Sequence, residues 1–183
     1  DHGFDYARFT SRSHGTSGPD ARTTGPQTGK NKKAERNTPN QSIGPGHIHN
    51  RKIIGTSGNG KKLMEKGKNA YDLHDLGNRH SNHAIEFLTQ HLRNKDRSNN
   101  PFFLYYPSNS NHGPYTVAKE VGGKKVRGTG KMVSGSPAST RLDYIYENDV
   151  ALGRLIDYLE QTKDPRRPSK KLIENTIIIF TSD

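Results

Sequence analysis

The chain has 183 residues, a formal net charge of +11 and no cysteine. Only 28% of its residues are hydrophobic, with a mean hydropathy of −1.02, whereas globular chains hold roughly 45–50% apolar residues when glycine is included. The lack of cysteine excludes disulfides, thiolate metal sites and a cysteine nucleophile within these residues. No apolar run approaches the roughly 20 residues of a membrane-spanning helix. The length suits one domain or part of a larger one.

Positive charge is concentrated in the first part of the chain. Residues 1–70 contain 13 Lys and Arg against 5 Asp and Glu. Residues 10–62 are rich in Ser, Thr, Gly, Pro, Asn and Lys without a sustained period, which indicates loop. We interpret residues 10–70 as a basic insertion or variable loop. Such a segment either attracts polyanions or is simply solvated, and composition leaves both readings open.

The first predicted helix and strand follow this segment. A helix is predicted over residues 81–93, with Ser81 or Asn82 as its N-cap. Its apolar face consists of Ala84, Ile85, Leu88 and Leu92. The run from Phe102 to Tyr106 is apolar throughout and bounded by prolines, which is typical of a strand buried on both faces.

A second helix and strand complete the pattern. The helix begins with a capping-box-like pair, Thr140 and Asp143, and ends before Pro165. Its apolar stripe is Leu142, Ile145, Leu152, Ile156 and Leu159. Residues 175–181 predict another buried strand. Strand, helix and strand at this spacing predict a right-handed parallel βαβ unit. The fold class is therefore α/β, with a partial doubly wound sheet and a long basic loop-rich segment.

Two polar residues follow the predicted strands. His112 lies six residues beyond Tyr106, and Asp183 directly follows the last strand. Ligands of parallel sheets bind beyond the carboxyl ends of the strands, so this topology places both residues at one sheet edge. His112 suits acid–base work or an anionic oxygen, or is an exposed loop histidine. Asp183 suits a metal ion or catalysis, or caps a following helix.

Other polar residues are expected to have structural roles. Asp149 falls within the apolar stripe of the second helix, where a carboxylate needs a hydrogen bond or a partner. We expect it to anchor a neighbouring loop, and Gly153 indicates close approach of helix to sheet. The remaining clustered histidines complete no tetrahedral metal site and are expected at the surface; they are His47, His49, His74, His80, His83 and His91.

Three stretches, taken in order, resemble the sulfatases of the arylsulfatase type in the alkaline phosphatase superfamily. They read NPFFLYYPSNSNHGPY, RLDYIYENDVALGRLIDYLE and ENTIIIFTSD. In that family a strand leads to a His with Pro two positions later, then to a helix containing Asp-x-x-x-Gly, then to a strand ending in Thr-x-Asp. The opening HGFDYARF resembles the family's Gly-Phe-Asp-Tyr stretch. The resemblance covers residues 1–6 and about 84–183, but not 10–75.

The resemblance implies an α/β hydrolase of sulfate esters that uses a calcium ion and a hydrated formylglycine nucleophile. By this resemblance His112 contacts the sulfate and assists the leaving group, and Asp183 is one of the calcium carboxylates. The implied partner is a sulfated small molecule or a sulfated polysaccharide, with no specific nucleic acid. The oligomeric state does not follow from it.

The sequence also departs from the family pattern. Its paired Asp residues and its C/S-x-P-x-R nucleophile motif are absent; Ser17-Gly-Pro19-Asp-Ala-Arg22 places the Arg one residue late. We therefore interpret residues 1–183 as an incomplete sulfatase catalytic domain, an internal fragment that is inactive alone, from a parent that is periplasmic, extracellular or lysosomal. Two alternatives stay open: a phosphoester or phosphonate hydrolase of the same superfamily, and a non-enzymatic basic module that binds polyanions.

Overall fold

Two packed helices form the centre of the structure, a computed structural model that describes residues 3–10, 45–56, 73–110, 115–129 and 139–182. Helix α1 is Leu76–Arg93, preceded by a 3-10 turn at Leu73–Asp75. Helix α2 is Thr140–Gln161. Arg154 of α2 links the two, because its guanidinium donates to Ser81 Oγ at 2.6 Å and Asn82 Oδ1 at 2.9 Å. Neither helix has an apolar stretch of the length that a bilayer crossing requires.

Short antiparallel strands surround the helices. Strands β1 (Arg8–Thr10), β2 (Pro45–His49) and β3 (Lys52–Thr56) form one sheet in that order. Strands β4 (Glu120–Val121) and β5 (Lys124–Lys125) form a hairpin, as do β6 (Lys163–Asp164) and β7 (Arg167–Lys171). A 3-10 turn at Leu172–Asn175 follows β7.

The β2–β3 hairpin corrects the prediction that residues 10–62 are loop throughout. Asn50 turns the chain between the strands with a φ of 52°, a left-handed conformation that asparagine adopts more readily than most residues. The Asn50 side chain also accepts a hydrogen bond from the backbone of Ala7 at 2.7 Å. This bond ties the hairpin turn to the segment that leads into β1.

Helix α1 begins five residues before its predicted start at Ser81. Asp75 occupies the N-cap position, accepts from Asn78 Nδ2 at 3.0 Å and pairs with Arg79 at 3.6 Å. The Ser81 hydroxyl donates to the Asn78 carbonyl within the helix, so it does not cap it. The polar sequence of the first turn has no apolar period, which is why the pattern placed the start too late.

Helix α2 begins where predicted but buries a different face. Ser139 is its N-cap, with Oγ accepting from Leu142 N at 3.1 Å, and Asp143 accepts instead from Gly128 N at 2.7 Å. The predicted stripe is wrong in its first half, because Ile145 is 45% exposed. The buried residues are Asp143, Tyr144, Glu147, Val150, Ala151, Leu155 and Leu159.

Asp149 and Gly153 do not have the roles that the sequence predicted. The Asp149 side chain is exposed, so it is not the buried carboxylate of this helix. A Cβ added to Gly153 would meet no heavy atom within 4 Å, which excludes a close approach at that point. The fully buried carboxyl group of this helix is that of Glu147, two residues before Asp149, and Asp143 is buried as well.

The buried hydrophobic residues include two clusters, both of which contain residues of α2. The first joins α2 to residues 117–126 and consists of Val117, Ala118, Val121, Val126, Tyr144, Val150 and Ala151. The second is built on Leu88, Leu159 and Leu172, with Phe102, Leu104 and Ile173 among the residues packed against it. Helix α2 therefore contributes to the first cluster with residues 144–151 and to the second with Leu159, whereas α1 contributes Leu88 to the second.

The two predicted buried strands are not paired in any sheet of the described residues. In the first, Phe102 and Leu104 pack on the second cluster, while Phe103 is 74% and Tyr105 is 67% exposed. This alternation is that of an extended segment with one covered face. A strand that is apolar on both faces needs a layer on each, and the described elements supply only the helix side.

The second predicted strand, residues 175–181, is also exposed. Ile177 and Ile179 are 88% and 84% exposed, and Phe180 is 71% exposed. The prediction of burial is therefore wrong for this segment within the described structure. The predicted parallel βαβ unit is likewise not seen there, since the three sheets are antiparallel.

Asp164, at the end of β6, ties the turn of the last hairpin to the 3-10 turn that follows it. Its carboxylate is fully buried and accepts from Arg166 N and Nε, at 2.9 and 3.1 Å, and from Asn175 Nδ2 at 2.9 Å. The hydrogen bonds from Arg166 lower the pKa of Asp164 to about 2. This carboxylate thus stays ionised and holds the turn that precedes the core residue Leu172.

The contrast between two helical glycines gives a first prediction. A Cβ at Gly77 would overlap the Glu147 carboxyl group, whereas one at Gly153 meets open space. Alanine is favoured over glycine in helix interiors by up to about 1 kcal/mol. We expect Gly153→Ala to raise the free energy of unfolding by about 0.5–1 kcal/mol, and Gly77→Ala to lower it by about 2 kcal/mol because Glu147 must leave its hydrogen bonds.

Urea denaturation followed by circular dichroism measures both values. Equal stabilisation by the two alanines would show that Glu147 moves without cost and would contradict the packing described.

Candidate functional site

The two residues predicted for the site, His112 and Asp183, both lie outside the described residues. Their predicted meeting at one sheet edge therefore stays a prediction. The structure does describe the residues on both sides of His112, up to Ser110 and from Tyr115 onward. The candidate site is accordingly built from these two chain segments and from the side chains that hold them.

Both segments are bonded to adjacent turns of α2. Asn109 Nδ2 donates to the Tyr144 hydroxyl at 2.7 Å, and Thr116 also shares a side-chain hydrogen bond with Tyr144. Ser110 Oγ donates to Glu147 Oε1 at 3.3 Å. On the other side, Ala118 N donates to Glu147 Oε2 at 2.5 Å. Tyr144 and Glu147 are both fully buried; the bond from Ala118 to Glu147 is buried, and those from Asn109 and Ser110 are partly buried.

Glu147 is the most unusual ionisable group of the site. Burial raises its pKa to about 7; the hydrogen bonds from Ala118 and Ser110 and the charge of Arg127 act in the opposite direction, while Asp75 adds to the rise. Loss of hydration disfavours the charged form of a carboxyl group. The carboxyl group therefore changes its charge near neutral pH while holding the backbone of Ala118.

The neighbouring tyrosines remain protonated. Burial raises the pKa of Tyr144 to about 12 against the effect of its hydrogen bonds to Thr116 and Asn109. Burial, together with the charge of Glu147, also raises the pKa of Tyr106. These hydroxyls serve as hydrogen-bonding groups at neutral pH, and neither is a candidate base.

A polar cleft of about 430 Å³ lies beside this arrangement. It is lined by His74, Asp75, Asn78, Lys119, Glu120 and Arg127. Its walls are tied by internal bonds: Arg127 Nε and Nη2 donate to the Val117 carbonyl at 3.0 and 2.6 Å, and Gly122 N donates to Asn78 Oδ1 at 3.0 Å. The balance of two carboxylates and two cations in the lining does not define an anion site by itself.

The histidines are not all surface residues as predicted. His83 is partly buried, and the Tyr6 hydroxyl donates to its carbonyl oxygen at 3.4 Å. Burial first, and then the nearby Arg8 charge, lower the pKa of His83 to about 3. In the part of the chain that the structure describes, no group of three or more His, Asp or Glu residues is arranged to hold a metal ion.

Comparison with known proteins identifies the chain. The family model described as Sulfatase matches residues 2–183, a span that includes both helices and both segments around His112. The chain belongs to the sulfatase family, whose members are hydrolases of the α/β class. No curated protein and no solved structure matches it.

The sequence interpretation missed Tyr144 and Glu147. The signal was present, because Tyr144, Glu147 and Ala151 are spaced three and four residues apart and share a helical face. A carboxylate in such a row marks a buried hydrogen-bonding site. The stripe starting at Leu142 has the same spacing and more aliphatic residues, and it directed the prediction to Asp149.

The pKa of Glu147 predicts a pH dependence of stability. A carboxyl group whose pKa rises from 4.5 to about 7 on folding contributes stability that is complete below pH 4.5 and is lost as the pH rises through 7. We expect the free energy of unfolding of Glu147→Gln, relative to wild type, to rise by about 3 kcal/mol between pH 4.5 and 8.

Chemical denaturation at several pH values tests this difference. His83 has the opposite effect on stability, since its lowered pKa stabilises the fold above pH 6.5. Both proteins contain His83, so its contribution cancels in the difference between their free energies of unfolding. Asp149→Asn changes an exposed carboxyl group of the same helix and serves as the control. Parallel curves for wild type and Glu147→Gln would show that Glu147 does not titrate in this range.

Proposed function

We propose that this chain is part of an enzyme that hydrolyses sulfate esters with a calcium ion and a formylglycine nucleophile, the nucleophile lying outside residues 1–183. The observation that carries the proposal is the match of the Sulfatase family model over residues 2–183. The absence of a C/S-x-P-x-R motif from these residues is the reason for placing the nucleophile elsewhere.

In this proposal His112 and Asp183 are the functional residues of the chain. Cleavage of a sulfate ester leaves negative charge on the departing oxygen, and a histidine that donates a proton or hydrogen bond to it lowers the barrier. Asp183 offers the hard oxygen ligand that calcium prefers. The described residues do not by themselves fit a calcium site, so no reaction step is assigned to the ion.

The charge of the segment that follows His112 in the sequence supports an anionic substrate. The hairpin segment that follows, residues 119–127, carries Lys119, Lys124, Lys125 and Arg127 against one carboxylate, Glu120. Lys124 lies over the Tyr146 ring at 5.5 Å, which holds one of these charges close to α2. A local excess of positive charge raises the concentration of anionic substrates nearby. The substrate class is a sulfated small molecule or polysaccharide, and an exported location suits either.

Hydrolysis of an aryl sulfate tests the proposal. We expect the enzyme expressed from the complete reading frame that encodes these residues to hydrolyse 4-nitrophenyl sulfate in the presence of calcium. Replacement of His112 by alanine should lower kcat by about 10²–10⁴-fold, the usual contribution of a general acid. His91→Gln, which keeps a polar group near the Asn100 carbonyl that His91 contacts at 3.0 Å, is the control and should retain activity.

Three results would change the assignment. Turnover by the 183-residue chain alone, above that of its His112→Ala form, would show that the nucleophile lies within it. Preferential cleavage of a phosphate monoester or phosphonate would favour the sister activity of the superfamily. Binding of a sulfated polysaccharide that survives both His112→Ala and Asp183→Ala, without hydrolysis of any ester, would indicate a polyanion-binding module based on residues 10–70.

A further inference from the structure

The polar cleft is lined by two elements that pack together in the fold. The start of α1 supplies one part of the lining, which is His74, Asp75 and Asn78. The β4–β5 hairpin and the residues beside it supply the other part, which is Lys119, Glu120 and Arg127. Gly122 N in the hairpin turn donates to Asn78 Oδ1 at 3.0 Å. This bond fixes the two parts relative to each other, which lowers the ordering cost of binding a ligand.

Two cations of the lining lie side by side, and neither is neutralised by a carboxylate. The Lys119 carbonyl accepts from Arg127 N at 3.4 Å, so the two residues are neighbours across the hairpin. Arg127 Nε and Nη2 donate to the Val117 carbonyl, which orients the guanidinium while its charge stays available. Among the described residues, no Asp or Glu forms an ion pair with Lys119 or Arg127. An oriented guanidinium beside an ammonium group suits an oxyanion.

The carboxylates of the lining distinguish the cleft from a simple anion site. Asp75 is held by Asn78 Nδ2 at 3.0 Å and by Arg79 at 3.6 Å. The Glu120 side chain is exposed and forms no hydrogen bond or ion pair with any described residue. Such oxygens repel a small inorganic anion but accept hydrogen bonds from hydroxyl groups. The lining therefore favours a ligand that carries hydroxyl groups as well as negative charge.

The polarity of the lining also bears on the class of ligand. All six lining residues are polar or charged, whereas sites for drug-sized ligands are lined predominantly by hydrophobic side chains. An aryl ring finds no apolar surface among these residues, while a sugar ring finds partners for its hydroxyls. The volume of about 430 Å³ lies within the roughly 300–1,000 Å³ of small-molecule sites.

We propose that the polar cleft binds a sugar ring that carries an anionic group. Lys119 and Arg127 bind the anion. Asp75 and Glu120 accept hydrogen bonds from the ring hydroxyls. The site is inferred from its lining, but its link to the substrate rests on the proposed function, which it narrows from sulfate esters in general to a sulfated saccharide. A sulfate ester and a uronic acid carboxylate present the same chemistry to the cleft, and separate titrations distinguish them.

Nuclear magnetic resonance titration of the labelled 183-residue chain measures this binding without a reaction. The probes are glucose 6-sulfate and glucuronate, compared with glucose, which lacks the anion, and with phenyl sulfate, which lacks the hydroxyls. We expect saturable shifts of the Lys119 and Gly122 amide resonances. The Kd of at least one anionic sugar should be at least about tenfold lower than that of glucose or phenyl sulfate. The tighter of the two anionic sugars identifies the anion.

Two substitutions separate a sugar site from general attraction of anions. Lys119→Gln should raise the Kd of the anionic sugar at least about fivefold. Lys95→Gln removes the same charge from the exposed loop after α1 and should change this Kd less than about twofold. Glu120→Ala should reduce the preference for the anionic sugar over phenyl sulfate at least about fivefold. Both ligands gain from the lost negative charge, but only the sugar loses hydrogen bonds.

Three outcomes would overturn the proposal. The first is that phenyl sulfate binds as tightly as both anionic sugars, which would leave only an anion site. The second is an equal loss of affinity in Lys119→Gln and Lys95→Gln. The third is the absence of any shift at Lys119 and Gly122. Unchanged amide resonances outside the hairpin show that each variant remains folded.

Hydrolysis of 4-nitrophenyl sulfate by the enzyme from the complete reading frame judges the proposed function separately. Hydrolysis without sugar binding would refute the assignment of the cleft alone. Sugar binding without hydrolysis of any sulfate ester would refute the proposed function and leave the binding site in place.

Discussion

The buried carboxyl group of Glu147 is the interaction on which the described structure depends most. It accepts hydrogen bonds from the Ala118 backbone and from the Ser110 hydroxyl, and it fills the space beside Gly77 that a Cβ would occupy. Through it, α1, α2, Ser110 and Ala118 meet at one point. A buried polar group is tolerated only when its hydrogen bonds are made, so these elements have to assemble together. The first hydrophobic cluster, which includes Val117 and Ala118, follows from the same attachment.

Two other carboxylates extend this arrangement along α2. Asp143, one turn earlier, holds the backbone of Gly128, and Asp164, just beyond the end of the helix, holds Arg166 and Asn175. Acidic side chains on the helix or just beyond its end thus hold three chain segments through hydrogen bonds. This accounts for a structure with few hydrophobic residues, because specific hydrogen bonds to charged groups supplement a small core.

The uncovered apolar segments belong to the same architecture. Phe102 and Leu104 pack on the helices, while Phe103 and Tyr105 are exposed. Among the described residues, the Phe103 ring stacks on the Phe4 ring, with 6.2 Å between the ring centroids. In an α/β sheet, both faces of a strand are covered by helices. The described residues supply helices on one face of this segment only, so its other apolar face is open. Membership of the sulfatase family, whose fold is of the α/β class, is consistent with this geometry.

The sequence by itself determined the two helices and the family, because these depend on local periodicity and on motifs whose residues are near neighbours in the chain. It predicted the apolar run at 102–106 as a strand buried on both faces, whereas the described structure covers one face only. Only the tertiary structure decided which face of α2 is buried, since Ile145 and Tyr144 satisfy the same helical period and the choice between them depends on the segments that pack there. It also decided that Glu147, and not Asp149, is the anchoring carboxylate. That role comes from Ser110, Ala118 and Gly77, which are far from Glu147 in the sequence and meet it only in the fold.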